Sequence, residues 1–207
     1  DPLAELPGFH LAYHVPPRRT PDHYALEVLA EVLGGGESAR LYRLLVRDRE
    51  VASSIEVKTK DRRGPDLFTV WCVASEGHTA QQARTLALGA IDDVARNGIS
   101  GRELQRVKNR VRMAFVTGLQ SNLLRAQQLA EFELYDGNAA LLRTELDRYL
   151  AVTLDDVRRV AAQYLTATNR TVIDVVPAGA GAGAAAPARG ARTRGHVRAS
   201  WRNGWAQ

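Results

Sequence analysis

The chain has 207 residues, 45% of them hydrophobic, enough for one well-packed core. The formal charge of +5 invites a nucleic-acid reading, but five of the 28 basic residues (Arg189, Arg192, Arg194, Arg198, Arg202) lie in 178–207, which holds no acid. The remaining 23 balance the 23 acidic residues, so 1–177 is formally neutral and the basicity belongs to the tail. A single cysteine excludes an internal disulfide and any cysteine-rich zinc site, and no apolar run is long enough for a membrane span.

In chain order, "GFHLAYHVP" (8–16) alternates as a short strand stopped by Pro16-Pro17. Thr20 then caps a helix with Pro21 at its first position, and Tyr24, Ala25, Val28, Leu29, Val32 and Leu33 repeat at helical spacing up to Gly34. Ser38 is the expected cap of a second α-helix with Leu41, Leu44 and Leu45 on one face. "SSIEVKTK" (53–60) predicts a half-exposed strand, and "DLFTVWCVA" (66–74), apolar on both faces, predicts a central one.

A helix with Ala83, Leu86, Ala87, Ala90, Ile91 and Val94 on one stripe ends at Asn97-Gly98. Ser100 and Glu103 form a capping-box pattern for the next, with Leu104, Val107, Val111 and Phe115 inward. Further helices fit 121–136, about 139–151 and 154–165, the last capped by Thr153 with Asp156 three residues on. "RTVIDVVP" (170–177) predicts the final strand. Adjacent strands with grouped helices argue for one α+β domain over 1–177, a mostly antiparallel sheet packed against helices. The Gly/Ala/Arg-rich stretch 178–207 is expected to be disordered.

The triple glycine Gly34-Gly35-Gly36 is not a phosphate loop, because it follows a helix and no lysine opens the next one. His10 and His14 stand four apart, a metal-sharing distance on a helix but roughly 13 Å along a strand. No H-E-x-x-H or H-x-x-E-H motif accompanies them, and no G-x-S-x-G elbow is present. Cys72, within an apolar run, reads as a buried inert thiol. No self-sufficient catalytic set emerges from 1–207.

The segments "PDHYALEVLAEVLGGGESARLYRLLVRDREVASSIEV", "NGISGRELQRVKNRVRMAFVTGLQSNLLRAQQLAEFELYDGN" and "VTLDDVRRVAAQYLTATNRTVIDVVP" together resemble the C-terminal half of the pitrilysin/insulinase-type zinc peptidases. The resemblance runs in order through nearly all of 8–177, and "LGGG-x-S-x-RLY" is its most specific block. It implies two homologous α+β domains enclosing a chamber, with the inverted zinc motif in the first. This chain would then be the zinc-free second domain, inactive alone, with zinc in a homologous domain or partner subunit and peptides as substrates. The start at Asp1 leads us to expect a fragment or processed product.

In that family an arginine and a tyrosine seven residues later bind substrate and stabilise the reacting carbonyl, where such a donor is worth ~3–4 kcal/mol. The resemblance places Arg47 at the arginine position and Ser54 at the tyrosine position. The pair is therefore incomplete, which leaves open support by an adjacent subunit or a non-catalytic assembly role. Gly34, Gly35 and Gly36 are expected to be structural, setting a steep angle between two helices. A third reading, nucleic-acid or anionic-surface binding through the tail arginines with Trp201 and Trp205, suffers from the weakness of five flexible charges at physiological salt.

Overall fold

The computed structural model describes residues 3–60 and 62–178, so the expectation of tail disorder lies, from 179 on, outside the described residues. Strand β1 (Gly8–Val15) alternates as expected: Phe9, Leu11 and Tyr13 are fully buried, whereas His10, Ala12 and His14 point to the opposite face and keep solvent contact. Helix α1 (Pro21–Gly34) starts at Thr20, whose hydroxyl accepts from the His23 N–H at 3.3 Å. It is buried on most sides, His23 included, and runs through the middle of the helical layer.

The segment after the glycines departs from expectation. It is π-helical over Tyr42–Asp48, entered from Arg40–Leu41 without a side-chain cap, so Ser38 does not play the predicted role. Leucines three and four apart fit an α-turn and the wider i→i+5 turn equally well, which is why spacing could not separate them. Glu50, at φ 54°, then turns the chain into strand β2 (Ala52–Lys58).

Strand β2 and strand β3 (Asp66–Ala74) form an antiparallel hairpin with a bulge between Ala52 and Ser54. The buried Asp66 carboxylate closes it, accepting from the N–H of Lys60 at 3.1 Å and of Leu67 at 2.7 Å. Helix α2 (Ala80–Asn97) begins with a Thr79/Gln82 capping box, and α3 (Gly101–Gln120) with the predicted Ser100/Glu103 box. Helix α4 (Asn122–Asp136) stops at left-handed Gly137. A 3-10 turn (Ala139–Leu141) leads into α5 (Leu142–Ala151), and α6 (Leu154–Tyr164) opens with the predicted Thr153/Asp156 box. Strand β4 (Arg170–Val175) closes the fold.

The sheet order is β2-β3-β1-β4 and every pairing is antiparallel, as the α+β reading requires. One hydrophobic cluster joins a single face of this sheet to α1, α2 and α6. The outer helices are fastened differently. Arg18 pairs with Glu131 and Asp136, Arg19 pairs with Glu145 at 2.7 Å, and both guanidiniums stand over the Phe132 ring at 5.7 and 5.2 Å. Arg19 holds a left-handed backbone (φ 65°) to do so, and the Tyr24 hydroxyl donates to the same Glu145 at 3.1 Å. Paired in this way, charges that would otherwise be costly to bury tie the 17–19 loop to α4 and α5.

Candidate functional site: the open sheet face and the glycine turn

Alternation along β1, β2 and β3 sends one set of side chains toward the core and the other to a face that no helix covers among the described residues, while every residue of β4 keeps solvent contact. Across that open face the register aligns Glu56, Trp71, His10 and Ile173 in one row, with Lys58, Thr69, Ala12 and Thr171 in the next. His10 meets Trp71 edge to face, with centroids 5.7 Å apart and planes at 81°. Glu56 and Lys58 pair at 2.8 Å beside them. The strand that looked apolar on both sides is central, and three of its seven apolar side chains (Leu67, Trp71, Val73) line this open face.

Ser54 lies on the same face, exposed, opposite Val73 at the bulge. Arg47, at the end of the π-helical segment, is 57% exposed, and its Nε donates to Asp48 Oδ1 at 2.8 Å. That hydrogen bond holds the Asp48 carboxyl below its usual range. Arg47 and Ser54 sit on consecutive elements, and no hydrogen bond joins them.

The three glycines have three separate reasons. A Cβ on Gly34 would stand 2.6 Å from Val57 Cβ, and one on Gly35 2.4 Å from the Glu31 carbonyl oxygen, the acceptor for the Gly35 N–H. Gly36 has φ +89°, a conformation side chains resist, and its Cβ would meet the Arg110 guanidinium at 2.6 Å. The turn is clamped from α3: Arg110 Nη1 donates to the Gly35 carbonyl, its Nε faces Glu31 at 3.4 Å, and Arg106 Nη1 donates to the Ser38 carbonyl at 2.7 Å.

Arg40, just past the turn, donates to Glu103 through Nε at 2.6 Å and Nη2 at 3.0 Å, to Asp93 at 3.1 Å and to the Gly98 carbonyl at 3.3 Å. The Arg40 and Ser100 hydrogen bonds hold the Glu103 carboxyl down to about 2, while burial pushes Glu31 upward. Sequence reasoning missed these arginine clamps. The one available signal was the i, i+4 recurrence of Arg102, Arg106 and Arg110 along α3.

Burial raises the Cys72 thiol to about 12, so it is not a thiolate nucleophile. His10 and His14 share a strand face without a third donor. Among the described residues no group of three or more His, Cys, Asp and Glu is arranged to hold a metal. No described helix is long and apolar enough to cross a membrane.

A four-stranded antiparallel sheet with helices packed on one face and a glycine turn between its first two helical segments makes an α+β half-domain. The chain belongs to the family described as the peptidase M16 inactive domain, whose profile matches residues 2–111. Among curated proteins it is 30% identical over 144 residues to an uncharacterized zinc protease of Streptomyces coelicolor, covering 69% of this chain and 31% of that one. The chain thus spans about a third of the length of such relatives.

Among solved structures, the inactive peptidase domain of a protein described as a zinc protease from Bordetella parapertussis superposes with a TM-score of 0.75 at 26% identity. The match covers 90% of this chain and 95% of that domain. A protease from Helicobacter pylori shares the fold, with a TM-score of 0.79 at 23% identity over 84% of this chain and 42% of that one.

Proposed function

We propose that this chain is the substrate-contacting, zinc-free half of a metalloendopeptidase, inactive alone and completed by a homologous zinc-bearing domain or subunit. The observation that carries this is the open sheet face. A family peptidase domain leaves one sheet face uncovered among its described residues, with Trp71, His10 and Ser54 on it and Arg47 on the segment that precedes β2, and such a face suits a chamber wall. Zinc, held by the other half, supplies the activated water. The residues of this chain bind and orient the peptide: Arg47 offers guanidinium donors to a carbonyl oxygen, and Ser54 a shorter donor where the family has a tyrosine.

The test is to combine the full chain with its zinc-bearing half and follow cleavage of an unstructured fluorogenic peptide. Activity should require both parts and vanish with chelator. Arg47→Ala should lower kcat/KM by about tenfold or more if the guanidinium reaches the reacting carbonyl. Ser54→Tyr should raise it. Absence of chelator-sensitive cleavage would overturn the enzymatic reading in favour of an assembly subunit of the same fold, a reading the missing tyrosine supports.

A further inference from the structure

A second region of the molecule carries an unused concentration of charge. Between the start of the π-helical segment and the α2–α3 turn lies a cleft of about 590 Å3, lined by Ser38, Arg43, Ser100, Arg102, Glu103 and Arg106. Its one carboxylate is already committed, since Glu103 accepts from Arg40 and from Ser100. Arg43 and Arg102 are exposed and engage no carboxylate within ion-pair distance among the described residues. Arg106 gives one donor to the Ser38 carbonyl and has others to spare. Glu37, on the turn itself, lies outside the lining.

Arg43 also points the way out of the cleft. It stands four residues before Arg47, close to one turn of the π-helical segment, so both guanidiniums occupy neighbouring positions on one side of that segment. The field of Arg43 reaches Asp48, the partner of Arg47. Arg102, Arg106 and Arg43 thus share one cleft, and Arg47 follows Arg43 on the same segment. A single small anion would use one or two of them. An extended chain with carboxylates every second residue, about 7 Å apart, could meet them in succession.

We propose that this cleft binds an acidic peptide segment, seated on Arg43, Arg102 and Arg106 and leading toward Arg47. That the segment belongs to a substrate rests on the peptidase-half reading. The binding itself does not.

The test uses the full chain and fluorescence anisotropy with a fluorescein-labelled peptide of alternating Glu and Ser, at about 50 mM salt so that screening is moderate. Arg43→Glu with Arg102→Glu should weaken binding at least about tenfold. Arg192→Glu with Arg198→Glu, the same charge change in the tail, should weaken it less than about threefold. Should the glutamate variant lose its circular dichroism signal, Arg43→Gln with Arg102→Gln takes its place, with a loss of about threefold or more expected.

Equal weakening by the cleft and tail variants, or no weakening by either cleft variant, overturns the proposal. So does tighter binding of single-stranded polyuridylate through the same arginines, or inorganic phosphate competing as well as the peptide per unit of charge. With the zinc-bearing half added, the cleft variants should raise KM for a peptide carrying the Glu/Ser segment and leave a neutral peptide unchanged. If no peptide is cleaved, the peptidase reading fails while anisotropy still decides the cleft.

Discussion

On one face of the sheet Phe9, Leu11, Tyr13, Phe68, Val70 and Cys72 have lost all solvent contact, whereas on the other His10, Leu67, Trp71 and Val73 keep part of theirs. The same two central strands, β1 and β3, supply all of these residues, and alternation alone sorts their side chains. The covered face is filled with residues chosen for volume. The open face carries a mixed set: an aromatic pair, an ion pair, a serine at a bulge. Stability is vested in the first and, on the proposed reading, recognition in the second, so substitutions on the two faces should separate cleanly.

The largest expected effect is on the covered side. Phe68→Ala should cost about 3–5 kcal/mol in urea denaturation, the combined loss of transfer energy and the cavity left behind. Trp71→Ser, one pleat over and three residues on, should cost less than about 1 kcal/mol while reducing peptide contact in the completed enzyme. Equal costs would break the comparison. Next comes Gly34→Ala, whose Cβ would press on Val57 at the core edge, at about 1–3 kcal/mol by the same assay.

Two carboxylates beside the glycine turn sharpen the contrast through pH. Glu103 titrates near 2 in the fold, below its ordinary value, so its contribution is complete above the unfolded value of about 4.3 and is lost as pH falls toward 2. Glu31 is shifted upward by burial, so its contribution is present at low pH and lost as pH rises through its folded value. Melting temperature against pH should therefore respond oppositely: Glu103→Gln flattens the acid limb, and Glu31→Gln gains slightly at neutral pH. The smallest effect belongs to Arg47→Ala, within about 0.5 kcal/mol in stability because its pair with Asp48 is solvent-exposed.

Much of this was legible in the sequence, where the information is local. Alternation identified β1 and β2 and an apolar run identified β3, and the boxes at Ser100/Glu103 and Thr153/Asp156 formed as their spacing required. The π-helical turn was not legible, because leucine spacing cannot count hydrogen-bond rings. Nor were the clamps, since Arg40 meets Glu103 across 63 residues and Arg110 meets Gly35 across 75. The reasons for the three glycines were hidden for the same cause: two of their three crowding neighbours, Val57 and Arg110, arrive from distant segments. The resemblance supplied Arg47 and Ser54 by position, and the structure places them on consecutive elements without joining them.

The order of the strands has a consequence for synthesis. β1, the first of the described strands in chain order, lies inside the sheet, and one of its two partners is the last of them: Phe9 stands opposite Asp174 and Gly8 opposite Val175. Chains emerge from the N-terminal end, so one row of β1 main-chain donors and acceptors has no native partner until nearly all of the described chain has been translated. An unpaired strand edge is a template for the wrong neighbour. The seam between β1 and β4, fastened by Asn169 Nδ2 donating at 2.8 Å to the carbonyls of both His14 and Tyr164, is thus the last part of the sheet to close. A nascent chain stalled before it exposes the half-finished sheet to chaperones and proteases.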